Sequence, residues 1–336
     1  MDGKIAEIAP ANEAEDFVET QFTVEPNYDG WRLDRYLCDK IRRLSRTRAQ
    51  RIIRKGLISD RPLKPSTRVK PGLTFKLRRR AMDEPDTPRE ITELYQDGAL
   101  LVVDKPAGLP MHPSARYHSG TLVNVIRARY GPDFRADPAH RLDRETSGII
   151  ICGRTLESCQ RLMRSFVEGE VHKEYLAITE GAPVEDTFEI DAPIAEGTEL
   201  IRIAVRIDRQ VGKPARTRFQ VLRRFERDGA RFALVRAWPE TGRQHQIRIH
   251  LREAGYPIVG DKMYGPDQGY FDRFSKHCLE PEAWEKLRLP RHALHAARIR
   301  FPHPVTRAEV EFESPLPQDL REFLDAPGEA APGIAV

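Results

Sequence analysis

The sequence predicts an α+β protein in more than one domain, and three observations carry this. Strand-like stretches at 99–104, 149–152, 172–181, 218–222 and 232–238 alternate with only a few segments of helical spacing. The segment Arg80 to Pro88 mixes charge and proline without apolar periodicity and reads as an interdomain linker. A chain of 336 residues is long enough for two or three domains with a sizeable core. The expected division is an acidic tail at 1–20, a small basic α+β domain at 21–80, a linker at 81–90, the main domain at 91–320 and a frayed tail at 321–336.

Charge is unevenly placed. Between Gly30 and Arg80 there are 18 Lys/Arg against 3 Asp/Glu, an excess of 15 in a chain whose net charge is +4, so the rest carries about −11. Such a local block is the footprint of phosphate-backbone binding, with a solvated basic face as the bland alternative. The four cysteines, Cys38, Cys152, Cys159 and Cys278, form neither a C-x-x-C pair nor a disulfide framework, which fits a reducing cytoplasm. The first 29 residues lack the features of a signal peptide, and no apolar run approaches the roughly 18 residues of a membrane span. No metal is expected, since His245 and His250 are five apart and no H-E-x-x-H occurs. The absence of G-x-G-x-x-G and G-x-x-x-x-G-K-S/T argues against dinucleotide and nucleoside triphosphate chemistry.

In the small domain, Leu33, Tyr36, Leu37 and Ile41 form one helical stripe, with Arg35, Lys40 and Arg43 elsewhere on it. A second helix has Ser45 as N-cap, Ala49, Ile52 and Ile53 as buried stripe and Gly56 as its stop. Its other faces carry Arg46, Arg48, Arg51, Arg54 and Lys55, the candidate residues for binding a phosphate backbone. Short strands at 57–59 and 73–77 follow.

In the main domain, strand 99–104 ends in the rigid turn Lys105-Pro106-Ala107-Gly108, and 120–130 reads as a helix. Next comes His140-Arg141-Leu142-Asp143-Arg144-Glu145-Thr146-Ser147-Gly148, running into the apolar strand from Ile149. Arg141 and Arg144 would hold Asp143 ionised, as suits a nucleophile or general base; on the residues alone an ion-paired surface turn is equally open. Leu156, Gln160, Met163 and Val167 give helical spacing, and 172–181 alternates as a strand holding Tyr175, by pattern a half-buried aromatic. After strands 218–222 and 232–238, Thr241 and Gln244 form a capping box for a helix carrying Ile247, Arg248, His250, Leu251 and Ala254, with Gly255 as stop. Pro266 to Leu289 reads as a helical insertion of no evident purpose.

These segments resemble the RluA/RluD-type pseudouridine synthases. The run from His140 to Gly148 has every defined position of the family's H-R-L-D-x-x-T-S/T-G. Lys173, Tyr175 and Ala177 match its K-x-Y-x-A strand, His245 to Arg248 its H-Q-I/L-R, and Gly260 to Gly265 its G-D-x-x-Y-G. The small domain is similar to the RNA-binding module named after ribosomal small-subunit protein S-four, through Arg32-Leu33-Asp34, Ser45-Arg46, Ile52 to Ile58 and Val69 to Gly72. It departs at Ser59-Asp60-Arg61, where that family places an Asn-Gly turn. The resemblance implies a mixed, mostly antiparallel sheet flanked by helices, and an isomerase that turns uridine in RNA into pseudouridine without a cofactor. Asp143 would be the nucleophile, Arg248 its salt-bridge partner and Tyr175 the residue stacked on the base. Arg141 and Arg144 would grip phosphate or fill the place of the extruded base. Ribosomal large-subunit RNA is the preferred partner and transfer RNA the second; a silent RNA-binding assembly factor and a base-releasing glycosylase are the other readings. A monomer is expected.

Overall fold

The computed structural model describes residues 17–41, 44–80, 84–114, 117–197, 203–267 and 269–325. The parts of the expected tails at 1–16 and 326–336, of the linker at 81–83, and Arg43 lie outside the described residues. The chain divides into two compact units, Met1–Glu84 and Pro85–Val336.

The first unit contains β1 (Phe17–Thr23), a single 3-10 turn, α1 (Leu33–Lys40), α2 (Arg46–Gly56), β2 (Leu57–Ile58) and β3 (Thr74–Arg80). The strands form an antiparallel sheet in the order β1-β3-β2. Residues 17–20, expected in the tail, are therefore strand. Leu33, Tyr36 and Leu37 of α1 and Ala49 and Ile53 of α2 are buried with Val69, Phe75 and Leu77 of the sheet side. The Ser45 hydroxyl accepts from the Arg48 amide at 3.3 Å, capping α2. Gly56 is the last helical residue, followed by Leu57 in extended conformation. Its lack of a side chain serves β3 more than a helix stop, because a Cβ there would fall 2.1 Å from the Arg78 carbonyl oxygen.

The second unit runs β4 (Thr92–Gln96), β5 (Leu100–Lys105), α3 (Leu122–Tyr130), β6 (Asp137–Pro138), β7 (Ser147–Gly153), α4 (Leu156–Val167), β8 (His172–Glu180), β9 (Thr187–Asp191), β10 (Ile194–Glu196), β11 (Val205–Ile207), β12 (Arg216–Arg227), β13 (Ala230–Pro239), α5 (Gln246–Glu253), α6 (Tyr270–Ser275), α7 (Pro281–Leu287), β14 (Leu294–Pro302), β15 (Glu309–Glu313) and α8 (Gln318–Asp325). Ten strands form one sheet whose main path is β4-β5-β7-β14-β8-β13-β12-β9, with β15 on β14 and β6 on β7. Every pairing is antiparallel except β7 with β14. The architecture is the expected α+β one, a mixed, mostly antiparallel sheet flanked by helices.

Both faces of β5 and β7 are covered, which is why these strands read as continuous apolar runs. Leu101, Val103 and Ile150 pack with Leu122, Val125 and Ile126 of α3, whereas Leu100, Val102, Ile149 and Ile151 pack with Leu162 of α4. Over β8 and β13, Ile247 and Leu251 of α5 and Leu320, Phe323 and Leu324 of α8 close the core. Residues 321–325, expected to be frayed, thus belong to a docked helix. No described helix is long and apolar enough to cross a membrane.

Two helices differ from expectation. On α4 the residues of the expected stripe are outside, Leu156, Met163 and Val167 being 55%, 52% and 87% exposed. Its buried residues are Ser158, Cys159, Leu162 and Ser165, mostly small side chains that let the helix approach β7 closely; a Cβ on Gly153 would lie 2.3 Å from the Cys159 nitrogen. Helix α5 begins at Gln246, not at the expected capping box. The Gln246 side chain instead closes the turn before the helix, its Oε1 accepting from Thr241 Oγ1 (2.6 Å) and the Arg243 amide (3.0 Å).

Candidate active site

Asp143 sits on the loop between β6 and β7, its side chain 20% exposed. The turn after it is closed by the Thr146 amide donating to the Asp143 carbonyl at 3.1 Å. Gly148 then enters β7 at φ 114°, and a Cβ there would lie 2.2 Å from the Ala296 carbonyl oxygen. Only glycine lets the loop leave beside the parallel strand β14. Lys105, fully buried, donates to the carbonyls of Pro106 (2.8 Å), Leu109 (3.0 Å) and Arg144 (3.2 Å), tying the turn after β5 to this loop.

Arg248, from the buried side of α5, meets Asp143 with Nη1 donating to Oδ2 at 2.8 Å. Its remaining fork is taken by Asp261, Nε to Oδ2 at 2.7 Å and Nη2 to Oδ1 at 2.8 Å. Asp261 also accepts from the amides of Met263 (2.9 Å) and Tyr264 (3.0 Å). A planar guanidinium held bidentately on one side can present its third nitrogen in one direction only, and that direction is Asp143. His245, in left-handed conformation at φ 54°, places Nε2 3.6 Å from Asp143 Oδ1 and Nδ1 2.8 Å from the Tyr264 hydroxyl. Tyr264 already accepts from the Val205 amide at 2.7 Å. The tautomer satisfying all three has the phenol donating to Nδ1 and Nε2–H facing the carboxylate.

Burial acts to raise the Asp143 pKa, but the attraction of His245, Arg248 and His292 outweighs it and brings the carboxyl to about 2. Burial holds the two imidazoles themselves at about 4 and about 3. At neutral pH they are uncharged, and Arg248 is the cation that keeps Asp143 ionised. The expectation that Arg141 and Arg144 do so is corrected here. Arg144 Nη2 donates to Glu145 Oε1 at 2.9 Å and Nη1 to the Tyr117 hydroxyl. Arg141 is exposed at the rim of the site and has no hydrogen-bond partner among the described residues.

Asp143, Tyr175 and Arg248 line one cavity of about 490 Å³, together with His140, Arg141, Phe166, Lys173 and the 240–247 segment. This lies within the roughly 300–1,000 Å³ of small-molecule sites. Tyr175, half-buried on β8, pairs with Ala296 and Ala237 across the sheet, and burial with the nearby Asp143 charge pushes its phenol up. Lys173 Nζ donates to the Thr241 carbonyl at 3.1 Å, and burial lowers its pKa to about 8.

The candidate residues of the first unit cluster on one helix. Arg48, Arg51, Arg54 and Lys55 are exposed on α2, while Arg46 is 62% exposed and reaches buried Asp34 at 3.2 Å. Sequence reasoning noted the Gly260–Gly265 motif but assigned no task to Asp261, Lys262 or Tyr264, and it left His245 and His292 aside. The signal for Asp261 was a carboxylate in a short glycine-bounded turn next to apolar sequence, which on burial needs a cation.

Comparison with known proteins places the chain in a family. The sequence profile described as RNA pseudouridylate synthase matches residues 99–253. A protein of Chloroflexus aurantiacus described as an uncharacterized RNA pseudouridine synthase is 36% identical over 321 residues, 91% of this chain and 93% of its own. The ribosomal large subunit pseudouridine synthase D of Zymomonas mobilis is 32% identical over 317 residues, 90% of this chain and 95% of its own. The solved structure of human RNA Pseudouridylate Synthase Domain Containing 1 covers 72% of this chain and 96% of its own, with a TM-score of 0.55 and 27% identity. The chain belongs to the RNA pseudouridine synthase family. It is an isomerase that modifies RNA.

Proposed function

We propose that this enzyme converts uridine in large-subunit ribosomal RNA to pseudouridine, with Asp143 as the nucleophile. The observation that carries the site assignment is the chain Asp143–Arg248–Asp261, which keeps one carboxylate ionised in the lining of the cavity. The target RNA is supported by the naming of relatives at 32% and 34% identity as ribosomal large subunit pseudouridine synthase D. The basic face of α2 supports it too, in a first unit that we assign as an S-four-type RNA-binding module.

A uridine can reach Asp143 only out of its stack, at a cost of a few kcal/mol that binding along the strand must offset. Tyr175 stacks on the extruded base from the β8 side of the cavity. Asp143 detaches the base from ribose, and the base turns and rejoins through carbon five, whose proton is released. Tyr175 serves in removing that proton. Of the two arginines beside Asp143, Arg141 grips phosphate or fills the vacated stack; Arg144 is engaged with Glu145 and Tyr117.

The test is tritium release from RNA labelled at carbon five of uridine, with no added cofactor. Wild type should release tritium from large-subunit ribosomal RNA without free uracil, and Asp143→Asn should lose roughly 10³-fold or more of the rate. Free uracil would point to a glycosylase. Release from transfer RNA alone would overturn the ribosomal target, and silence of wild type on both would favour an assembly factor.

A further inference from the structure

The insertion between the Gly260–Gly265 turn and β14 holds α6 and α7 around a small core of their own, Tyr270, Ala283 and Leu287. Its placement gives it a task. Asp261 and Lys262 are consecutive in the turn that precedes it, and they reach to the two sides of Asp143. Asp261 holds Arg248, the partner of Asp143, while Lys262 holds Glu145, two residues past Asp143 on the same loop. The Lys262 ammonium, with a side chain 3% exposed, donates to Glu145 Oε1 (3.1 Å) and Oε2 (3.0 Å) and to the Pro290 carbonyl (2.6 Å). Three protons meet three acceptors. The insertion closes over this ion pair, with the Phe274 ring of α6 4.7 Å and the Trp284 ring of α7 5.5 Å from the ammonium. Phe274 also faces Arg144, at 5.8 Å.

We propose that the insertion braces the loop carrying Asp143, and that Lys262 is the positioning residue through which it acts. The inference rests on Asp143 being the nucleophile. An exposed Lys–Glu pair would hold almost nothing in place. Largely withheld from water beneath two rings, the Lys262–Glu145 pair has one geometry, and breaking it leaves the mostly buried Glu145 with the more exposed Arg144 as its remaining salt-bridge partner. One rigid turn thus fixes both the loop and its arginine partner, so the distance between Asp143 and Arg248 is set from a single point. A displacement of about 1 Å at a reacting group can cost on the order of 100-fold in rate.

The experiment compares full-length wild type, Lys262→Met, Lys262→Arg, Glu145→Gln, Phe274→Ala and the Lys262→Met/Glu145→Gln double variant by steady-state tritium release. The expected result is a kcat lowered about 10- to 100-fold in Lys262→Met with the RNA KM within about twofold. Lys262→Arg should retain most activity, and Phe274→Ala should show part of the loss. Adding Lys262→Met to Glu145→Gln should cost little more than Glu145→Gln alone, since the two side chains act as one unit. An unchanged kcat in Lys262→Met and Phe274→Ala overturns the brace, as do additive losses or a loss wholly in KM, which would make Lys262 an RNA-binding residue. Should Lys262→Met not fold, Glu145→Gln and Phe274→Ala carry the same test. Asp143→Asn in parallel separates the two ideas: an active Asp143→Asn refutes the nucleophile, whereas an inactive one beside fully active brace variants refutes the brace alone.

Discussion

Two sets of cations in this chain obey opposite rules. On α2, Arg48, Arg51, Arg54 and Lys55 stand in solvent with no ion-pair partner among the described residues. Around Asp143, Arg248 and Lys262 are 7% and 3% exposed at the side chain, and each is satisfied by carboxylates. The exposed set is screened by salt, costs little to hold and can meet any phosphate that arrives. The buried set is kept by geometry, and removing one member strands an opposite charge away from water. A positive count in the sequence does not distinguish them; burial and partner do.

The sharpest way to break this contrast is to delete the buried arginine. Arg248→Met leaves both Asp143 and Asp261 buried without their shared cation, and breaking such a pair costs roughly 3–5 kcal/mol. The Asp143 pKa then climbs from about 2, because the attraction and hydrogen bond of Arg248 no longer help His245 and His292 to oppose burial, which raises it. We expect a rate loss on the order of 100-fold or more and an acid limb moved toward neutrality. Arg248→Lys should rescue poorly, since a point charge cannot grip Asp261 with a fork and reach Asp143 as well. A pH–rate profile of Arg248→Met that keeps the wild-type acid limb would show that Arg248 does not set the ionisation of Asp143.

The buried imidazoles give a second, smaller effect. His245 and His292 titrate at about 4 and about 3 in the folded chain, against 6.5 ordinarily. Below pH 6.5 the unfolded chain therefore binds more protons than the folded one, and stability falls as pH drops toward 4. Each imidazole contributes on the order of 1.4 kcal/mol per pH unit in that window. Asp143 acts in the same direction only lower, where pH falls from its ordinary carboxyl value through about 2. Urea midpoints measured from pH 7 to 4.5 should decline, and His292→Asn, which can still bond Thr146, should decline less steeply. Equal slopes in the two proteins would remove His292 from this account.

How much of this was readable in advance follows from sequence distance. The stripe of α1, the alternation of β8 and the apolar run of β7 are local patterns, and each element lies where its pattern put it. Strand β1 was missed because its partner, β3, is more than fifty residues away and its flanks are acidic. The face of α4 was misread because small residues, not large ones, dominate its packing against β7. Helix α5 starts later than the capping box implies because Thr241 and Arg243 bond the Gln246 side chain in a turn of their own and His245 takes a left-handed conformation. The proximity of Arg248 to Asp143 spans 105 residues, and no periodicity could supply it. Family resemblance raised it as an expectation. The roles of Asp261 and Lys262 needed the three-dimensional structure, since a motif marks a turn without saying what it holds.

The smallest expected effect is on the exposed set, and its form matters more than its size. Neutralising Arg48, Arg51, Arg54 and Lys55 together should leave kcat at saturating RNA unchanged and raise KM, because none of them touches the reacting base in the proposed mechanism. A cation that no longer neutralises its phosphate lowers the slope of log affinity against log salt by roughly 0.7 on single strands and 0.9 on duplex. Removing all of these cations would therefore flatten the slope by about 3, while single substitutions should each shift it by under about one unit. Stability should change by less than about 0.5 kcal/mol per substitution, as for solvated side chains without partners. A quadruple variant with an unaltered salt slope would mean that α2 faces solvent rather than RNA, and the basic block of the first unit would then have no bearing on the choice of target.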